Sequence, residues 1–320
     1  MISNMGLSYV VFVIITLPLA FSWMPNALRR FNSSGKRINS GAIEFLSGKN
    51  AIVTGSSSGL GRAIATQLAR CNLKSIVLSG RNLGALEEVK KECLGICPAL
   101  EIFIMTCDLA ETESAEKFAR DAVCALEGNV DLLVLSGGCS SRSSFLDTSL
   151  DVDKMLMNVN FLASAAICKG VVPSMVRRNS GSIIWISSIQ GLIGTPFRTS
   201  YAASKFAAQG YCESLRSELS SSGVKVQCVS PGYINTNLSK SAITGDGSKY
   251  GVTDETTANG AEPNHVAVDI INSAGTNKTD YIVAANLSAR VALLLKVLSP
   301  RVLEKQLVKR YKIGSEKKNK

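Results

Sequence analysis

The residues that decide the fold are Thr54-Gly55-Ser56-Ser57-Ser58-Gly59-Leu60-Gly61, which directly follow the apolar run 51–53. An apolar run, a glycine-rich turn and a helical pattern in this order predict a strand, a tight loop and the first turn of a helix. Glycines let a backbone approach a pyrophosphate closely, and the open N–H groups of a helix N-terminus supply hydrogen bonds and positive potential. The stretch therefore predicts a dinucleotide-binding turn; the alternative is a tight turn that binds nothing.

Outward from this stretch, apolar runs of strand length alternate with periodic segments of helix length. We predict strands at 51–54, 75–79, 101–107, 132–135, 182–187, 225–229 and 281–284. We predict helices at 61–69, 85–93, 114–126, 151–176, 201–220 and 263–273. Such alternation predicts an α/β fold, a Rossmann-like doubly wound parallel sheet of about seven strands with helices on both faces.

A phenol and an amine four residues apart form the strongest candidate for catalysis. The stretch Tyr201-Ala202-Ala203-Ser204-Lys205 puts the side chains of Tyr201 and Lys205 on one face of a helix. A nearby cation stabilises a phenolate, so we expect Lys205 to lower the pKa of Tyr201 from ~10 and to make it a proton donor near neutrality. Ser188 ends the fifth predicted strand, where its hydroxyl can hold a substrate carbonyl. Isolated Tyr and Lys residues are usually plain helix surface, but the serine and the glycine-rich loop favour catalysis here.

The end of the second predicted strand, Leu78-Ser79-Gly80-Arg81, indicates which dinucleotide is bound. An NAD site uses a carboxylate at this point for the ribose hydroxyls, whereas Arg81 can pair with a 2′-phosphate. NADP(H) is therefore favoured over NAD(H), unless Arg81 only ends the strand in solvent. Asp108, just past the third predicted strand, can bind the adenine edge or cap the next helix.

On these motifs the chain resembles the short-chain dehydrogenase/reductase family: TGxxxGxG, Ser-x12-Tyr-x3-Lys and a Pro-Gly pair followed by a threonine stand in register. The resemblance implies Tyr201 as general acid, Lys205 as the residue that binds the nicotinamide ribose, and Ser188 as the residue that orients the carbonyl. It also implies a proton relay organised by Asn160, with Asn158 less favoured. The cofactor-binding residues that it implies are Gly55, Ser57, Ser58, Gly59, Leu60, Gly61, Arg81, Asp108, Leu109, Tyr201, Lys205, Pro231, Gly232 and Thr236.

The resemblance spans residues 49–284, and one motif in it departs from the family. Where the family has Asn-Asn-Ala-Gly after the fourth strand, this chain has Leu135-Ser136-Gly137-Gly138, so the hydrogen bonds of the asparagine are missing. The stretches SSIQGLIGTPFRTSYAASK, SPGYINTNLS and AITGDGSKYGV resemble a membrane-anchored branch of the family. That likeness implies reduction of acyl- or alkyl-dihydroxyacetone phosphate at the endoplasmic reticulum and peroxisomes. Many family members form dimers or tetramers, which implies a homodimer or homotetramer.

The N-terminal end predicts a membrane anchor. Residues 6–24 are free of charge and long enough for a bilayer, which needs ~20 apolar residues. Arg29, Arg30, Lys36 and Arg37 follow this run, and none precedes it, which favours an uncleaved transmembrane anchor with a cytosolic catalytic domain over a cleaved signal peptide. Nine cysteines without a CxxC pair agree with a reduced cytosolic domain. Four Asn-x-Ser/Thr sequons keep the lumenal orientation open.

The net charge of +10 lies at the two ends of the chain. Residues 29–49 hold five basic and one acidic side chain, residues 300–320 hold eight and two, and the rest balances at 22 against 22. This distribution argues against a nucleic-acid groove and for ends that lie near an anionic membrane.

The segment 289–312 fits a helix in the lipid headgroup region, or one docked on the domain or a dimer partner. The lysines at 317 and 318 resemble a dilysine retrieval signal of the endoplasmic reticulum; a frayed Lys-rich tail is the alternative.

Three more features concern the substrate side. The polar stretch 239–262 is too long for an ordinary connection and predicts a lid. Arg142 and Arg198 follow the fourth and fifth strands, where they can bind a substrate phosphate; ordinary surface arginines are the simpler alternative. No cluster of metal ligands stands in the sequence, so we expect no metal.

Together these features predict a membrane-anchored NADPH-dependent carbonyl reductase that acts on a lipid ketone. The alternatives are a steroid or retinoid reductase and a non-catalytic, NADPH-binding regulatory protein; the complete Ser188, Tyr201 and Lys205 set argues against the second. The expected domains are a transmembrane anchor, a basic linker, the family domain and an amphipathic basic C-terminal extension, at 1–25, 26–47, 48–285 and 286–320.

Overall fold

The described part of the chain forms a seven-stranded, wholly parallel sheet. The computed structural model describes residues 37–318. The strands lie in the order 3-2-1-4-5-6-7. They are β1 Asn50–Thr54, β2 Ser75–Gly80, β3 Glu101–Thr106, β4 Leu132–Leu135, β5 Gly181–Ile186, β6 Val224–Pro231 and β7 Asp280–Val283. All seven predicted strands are confirmed.

The six predicted helices are also confirmed, with one interruption. The segment predicted as one helix at 151–176 contains a π-helical turn, Asn158–Leu162, between two α-helices. Such turns are frequent at functional sites. The helices are α1 Ser40–Leu46, α2 Gly59–Leu68, α3 Leu83–Ile96, α4 Thr112–Ala125, α5 Leu150–Met157, α6 Ala163–Arg177, α7 Thr199–Glu218, α8 Glu255–Ala258, α9 Pro263–Ser273, α10 Leu287–Leu298 and α11 Pro300–Lys318.

The core lies on both faces of the sheet. In β1, Ala51 and Val53 join the cluster formed with α1, α2, α3 and α9, whereas Ile52 joins the opposite cluster formed with α4, α6 and α7. Trp185 of β5 is 1% exposed and belongs to the second cluster. Strands buried on both faces are typical of parallel sheets covered by helices, and they explain the continuous apolar runs of the sequence.

The domain begins before residue 48, which corrects the predicted linker at 26–47. The helix α1 lies within that range, and the Asn39 side chain caps it by accepting a hydrogen bond from the backbone N–H of Ala42 at 2.8 Å. Leu46 is fully buried in the core beside Ala42. A solvated linker would not bury these side chains, so at least α1 belongs to the domain. The transmembrane anchor predicted at 1–25 lies outside the described residues.

Within residues 37–318, one helical run, Leu150–Arg177, is long and apolar enough to cross a bilayer. Half of its most apolar window is buried inside the domain. Its residues Ile167, Val171 and Met175 are fully buried in the core cluster shared with α4 and β5. A core helix passes the same test of length and composition, and this run is one.

The predicted C-terminal extension forms two helices, α10 and α11. The helix α10 buries none of its residues, and Leu287, Val297 and Leu298 are strongly exposed. The helix α11 buries Leu303. Thus α10 carries apolar side chains that the described part of the chain does not cover.

Candidate active site

A cleft of about 450 Å³ opens at the carboxyl ends of the strands. It lies where the chain order of the sheet reverses, between β1 and β4, which is where open α/β sheets bind their ligands. The predicted site residues that line it are Gly55, Ser57, Ser58, Gly59, Leu60, Gly61, Arg81, Asp108, Leu109, Arg142, Ser188, Arg198, Tyr201, Lys205, Pro231, Gly232 and Thr236. Asn160 is the one predicted site residue that lies outside the lining, behind the wall of the cleft.

The glycine-rich loop after β1 can exist only with glycine at two positions. Gly55 has a φ of +66°, and a Cβ on it would lie 2.6 Å from Cα of Gly137. A Cβ on Gly61 would lie 2.2 Å from the carbonyl oxygen of Gly55. These close approaches pack the loop against β4 and the start of α2, and they leave the cleft side of the backbone bare.

The first turn of α2 faces this loop, whose bare backbone from Gly55 to Gly61 we call the glycine cradle. Its N-cap residue, Ser58, makes no side-chain capping hydrogen bond, so the N–H groups at the helix start are not satisfied in that way. Thr236, beyond β6, packs on the same turn: a Cβ on Gly59 would lie 3.5 Å from its side chain. A narrow glycine cradle at an uncapped helix start fits the pyrophosphate of a dinucleotide.

Thr54 holds the loop after β4, where the asparagine of the family is missing. Its Oγ1 accepts hydrogen bonds from the backbone N–H groups of Ser136 and Gly137, at 3.1 and 3.2 Å. The threonine therefore ties the loop after β4 to the end of β1, which the family's asparagine was expected to do. The sequence analysis missed this role of Thr54, and only the pairing of β1 with β4 reveals it.

Arg81 and Asp108 lie on the rim of the cleft beyond β2 and β3. Arg81 is exposed and makes no ion pair with another described residue. Its guanidinium is therefore open to an anion. The carboxylate of Asp108 accepts a hydrogen bond from Ala110 N–H at 3.0 Å, which turns the chain ahead of α4 but leaves the helix start at Thr112 uncapped by it. Asp108 still lines the cleft.

Ser188 and Tyr201 meet at the centre of the cleft. Tyr201 is 6% exposed, and this burial raises the pKa of its phenol above the ordinary value of 10. A hydrogen bond with the Ser188 side chain and the charge of Arg142 act in the opposite direction and lower that pKa. The Ser188 Oγ also accepts a hydrogen bond from Gln190 N–H at 3.1 Å, which fixes its position at the end of β5.

Lys205 lies one helical turn after Tyr201 on α7, as predicted, but its effect differs from the prediction. Its Nζ donates a hydrogen bond to the Ile186 carbonyl at 3.1 Å and lies 5.8 Å from the centre of the Tyr201 ring. Burial lowers the pKa of Lys205 to about 8. Arg142 and Ser188, rather than Lys205, are the groups that lower the pKa of Tyr201. Burial outweighs them, so the expected net lowering of this pKa is wrong for the protein without ligand.

Asn160 lies in the π-helical turn and holds the wall of the cleft from behind. Its side chain accepts a hydrogen bond from Cys139 N–H at 2.8 Å and donates to the Cys139 carbonyl and the Ser204 Oγ, both at 2.9 Å. It thus connects the loop after β4 with α7 between Tyr201 and Lys205. Asn158 instead donates to the Ala110 carbonyl at 3.3 Å.

Arg142 and Arg198 are not ordinary surface arginines, since each side chain is only 9% exposed. Both pair with one carboxylate, that of Asp254 in the predicted lid. Lid residues Ser239, Ser241, Ile243 and Thr257 line the cleft. Asp254 was not found from the sequence, since no local pattern connects it to arginines 112 and 56 residues away.

The cysteines and the other metal-ligating side chains of residues 37–318 are not gathered at one place. No group of metal-ligating side chains comes together within residues 37–318, and all nine cysteines are free thiols. Cys139 lines the cleft, and burial raises the pKa of its thiol to about 11. Its thiol therefore stays protonated near neutral pH.

The chain is similar to known proteins over most of its length. A family model described as short chain dehydrogenase matches residues 49–247. The Drosophila melanogaster protein named dehydrogenase/reductase SDR family protein 7-like is 40% identical over 288 residues, 89% of this chain and 85% of that protein. The Bos taurus protein named dehydrogenase/reductase SDR family member 7B is 42% identical over 258 residues, 79% of this chain and 78% of that protein. The narrower resemblance within the family is thereby confirmed.

A solved structure gives the same fold at lower identity. It is that of a Beutenbergia cavernae protein assigned as an NAD(P)-dependent gluconate 5-dehydrogenase, with bound NADP. It is 27% identical, covers 75% of this chain and 96% of its own, and superposes with a TM-score of 0.65. With the glycine cradle and the Ser188–Tyr201–Lys205 cleft, these matches show that the chain belongs to the short-chain dehydrogenase family and is an NAD(P)-dependent oxidoreductase.

Proposed function

We propose that the protein is a membrane-anchored, NADPH-dependent carbonyl reductase of a lipid ketone, with acyl- or alkyl-dihydroxyacetone phosphate as the candidate substrate. The observation that carries the proposal is the meeting of Ser188, Tyr201 and Lys205 in one cleft beside the glycine cradle. A hydroxyl, a buried phenol and an amine at the carboxyl edge of a doubly wound sheet form a set that can hold and protonate a carbonyl oxygen.

The residues present fit NADPH. The cradle at Gly55 and Gly61 receives the pyrophosphate, and Arg81 pairs with the 2′-phosphate, since β2 ends without a carboxylate. Lys205 holds the nicotinamide ribose, and Thr236 contacts the cofactor from the loop after β6. NADPH supplies a hydride when bound. The bound NADP of the gluconate 5-dehydrogenase structure supports the choice of cofactor.

The protein's own residues handle the carbonyl oxygen and its proton. Ser188 donates a hydrogen bond to this oxygen and stabilises the negative charge that develops on it. Tyr201 donates its phenolic proton to the same oxygen. Burial raises the pKa of Tyr201, and the Ser188 hydrogen bond and the charge of Arg142 oppose this shift and so make the protonated phenol a better donor. Asn160 keeps the wall at Cys139 in register with α7.

A lipid substrate agrees with the surface near the cleft. The exposed apolar residues of α10 and the basic residues of α11 suit the headgroup region of an anionic membrane. In α11, Arg310 donates a hydrogen bond to the hydroxyl of Tyr233 at 3.2 Å, and Tyr233 lines the cleft. These features of the two helices support a cleft that opens close to a membrane.

The proposal also covers the membrane anchor, the localisation and the oligomeric state. We propose further that the anchor at 1–25 makes the protein single-pass in the endoplasmic reticulum, with the catalytic domain, which includes α1, in the cytosol and a further peroxisomal pool. In the extension at 286–320, α11 packs on the domain through Arg310 and Tyr311, and we propose that the exposed apolar residues of α10 contact the membrane. The chain is proposed to form homodimers or homotetramers. Carbonate extraction and protease protection of microsomes check the anchor and its orientation.

The experiment that tests the function is a screen of NADPH oxidation with ketones that include alkyl-dihydroxyacetone phosphates, steroids and retinal. We expect turnover with a phosphorylated lipid ketone, and Tyr201→Phe should reduce it at least ~100-fold, since general acid catalysis contributes about 10²–10⁴-fold. Binding of NADPH, followed by fluorescence, should not change. Tyr211→Phe on the same helix is the matched control and should keep full activity. Consumption of NADPH with steroids alone, or substantial activity of Tyr201→Phe, would refute the proposal.

A further inference from the structure

The predicted lid, residues 239–262, is fastened to the loop after β4. Ile243 pairs with Ser141 as in a parallel sheet: its N–H donates to the Ser140 carbonyl at 2.9 Å, and its own carbonyl accepts from Arg142 N–H at 2.8 Å. Further along the lid, Asp254 lies just before α8, and its N–H donates to the Ser239 Oγ at 3.2 Å. The lid and the backbone that carries Arg142 therefore form one unit.

Asp254 binds two guanidinium groups through one oxygen. Its Oδ2 accepts from Arg142 Nε at 2.8 Å and Nη2 at 2.5 Å, and from Arg198 Nη2 at 3.1 Å. The carboxylate is 18% exposed and both arginine side chains are 9% exposed. Charge-assisted hydrogen bonds between buried groups fix the positions of the three side chains. With two arginines and one carboxylate, the cluster has a net charge of one positive unit.

Asp254 holds Arg142 from one side and the loop after β4 holds it from the other. The Nη1 of Arg142 donates to the Ser140 Oγ at 2.7 Å and to the Ser141 carbonyl at 2.8 Å. Its guanidinium carbon also lies 5.9 Å from the centre of the Tyr250 ring, another lid residue. Of these contacts, those of Arg142 with Asp254 and Tyr250 come from the lid.

The held charge of Arg142 acts on Tyr201. The titratable or charged groups that face the Tyr201 phenol are Arg142, Cys139, Tyr233 and Lys205. Of these, Arg142 is the one whose charge lowers the pKa of the phenol, whereas Cys139 and Tyr233 raise it. The lid carboxylate itself is not among the groups that shift it. An effect of Asp254 on Tyr201 must therefore pass through Arg142.

We propose that Asp254 is a positioning residue: from the lid it fixes the guanidinium of Arg142 in the cleft that Tyr201 also lines, so that the proton donor acquires its working electrostatic environment only when the lid is docked. This inference rests on the proposed role of Tyr201 as proton donor and adds a coupling between lid and proton transfer. A substrate that seats the lid thereby also prepares the acid that protonates its carbonyl oxygen.

The buried cluster has no simpler use in stability. Two buried arginines on one carboxylate are costly to desolvate, and apolar residues of similar volume commonly stabilise as well or better. An ion cluster that only closed the lid could lie anywhere along its edge. This one lies in the wall of the cleft that also contains Tyr201.

The test follows the phenol directly, without NADPH or ketone. Difluorotyrosine, whose phenol is more acidic than that of tyrosine, is placed at position 201 of the full chain, and its ionisation is followed by fluorine NMR. Asp254→Ala should raise the titration midpoint by about one pH unit, since an opposite charge within ~4–6 Å shifts such a group by ~1–3 units. Arg142→Gln should raise it by at least as much. Asp254→Asn keeps an acceptor for Arg142 and should shift it less.

The decisive comparison is the double variant. In the Arg142→Gln background, Asp254→Ala should cause no further shift, because its effect is transmitted by Arg142 alone. Asp131→Ala removes a comparable partly buried ion pair, with Arg178 at 2.8 Å, and should leave the titration unchanged. An unchanged midpoint in Asp254→Ala, or an equal shift in both backgrounds, overturns the inference. If Asp254→Ala does not fold, Asp254→Asn in the two backgrounds gives the same comparison. Failure of the ketone screen would leave this coupling standing.

Discussion

The ring of Tyr311 in α11 stacks on the ring of Phe197, with centroids 5.3 Å apart and planes inclined by 21°. Phe197 has a φ of +64°, in the left-handed region that residues with a side chain rarely adopt. The next residue, Arg198, lines the cleft and pairs with Asp254. The C-terminal helix therefore supports a strained backbone position at the edge of the substrate site.

This contact predicts that the C-terminal helix affects substrate binding. Tyr311→Ala should lower the free energy of unfolding by ~1 kcal/mol, the order of an aromatic pair. It should also raise the KM for the ketone, because Phe197 and Arg198 lose their support, while NADPH binding stays unchanged. Ile313→Ala on the same helix is the control, since Ile313 is 48% exposed against 46% for Tyr311. Equal effects of the two variants on KM would contradict the prediction.

Replacement by alanine should have opposite effects at two helical glycines, because only Gly61 is packed in the glycine cradle. Gly61→Ala should destabilise by ~2 kcal/mol, as overpacking does, because the new Cβ would lie 2.2 Å from the Gly55 carbonyl oxygen. Gly95→Ala in α3 should stabilise by ~0.5–1 kcal/mol, the difference in helix propensity, because nothing lies within 4 Å of its Cβ position. Urea denaturation measures both. A neutral Gly61→Ala would mean that the loop is free to move away from α2.

The sheet could be predicted from the sequence because its central strands, such as 132–135, are buried on both faces and read as apolar runs. The helix α1 escaped prediction because seven residues with two buried side chains give no clear period. The catalytic pair could also be predicted, since one turn of α7 places Tyr201 and Lys205 on the same face.

Other features of the site depend on residues far apart in the chain. Thr54 acts on the loop after β4 because β1 and β4 are neighbours, although 82 residues separate Thr54 and Ser136. Asp254 meets Arg142 only when the lid folds back. The pKa of Tyr201 depends mostly on how deeply the fold buries it, and a motif gives no measure of burial. The spacing of Lys205 was therefore predictable, but its net effect was not.

Arg81 predicts the preference between the two dinucleotides. Arg81→Ala should weaken NADPH binding at least ~10-fold, because a hydrogen bond to a charged group contributes ~1.5–3 kcal/mol. NADH binding should hardly change, since NADH lacks the 2′-phosphate. Arg120→Ala removes an exposed arginine from α4, away from the cleft, and is the control for net charge. Fluorescence titration with both dinucleotides checks the result, and a parallel loss of NADH affinity would contradict it.

Lys205 predicts a pH dependence of stability. Because burial lowers its pKa from the ordinary 10.5 to about 8, the folded protein releases this proton at lower pH than the unfolded chain does. Between these two values the unfolded chain binds more protons, so this residue makes the protein more stable as the pH rises. Below about pH 8 the buried ammonium is charged in both states, and its desolvation cost is fully present. The free energy of unfolding, measured relative to Lys205→Met by urea denaturation, should therefore be constant up to about pH 8 and rise above it. Other titrating groups cancel in this difference, so a flat or falling curve would show that Lys205 keeps its proton in the folded protein.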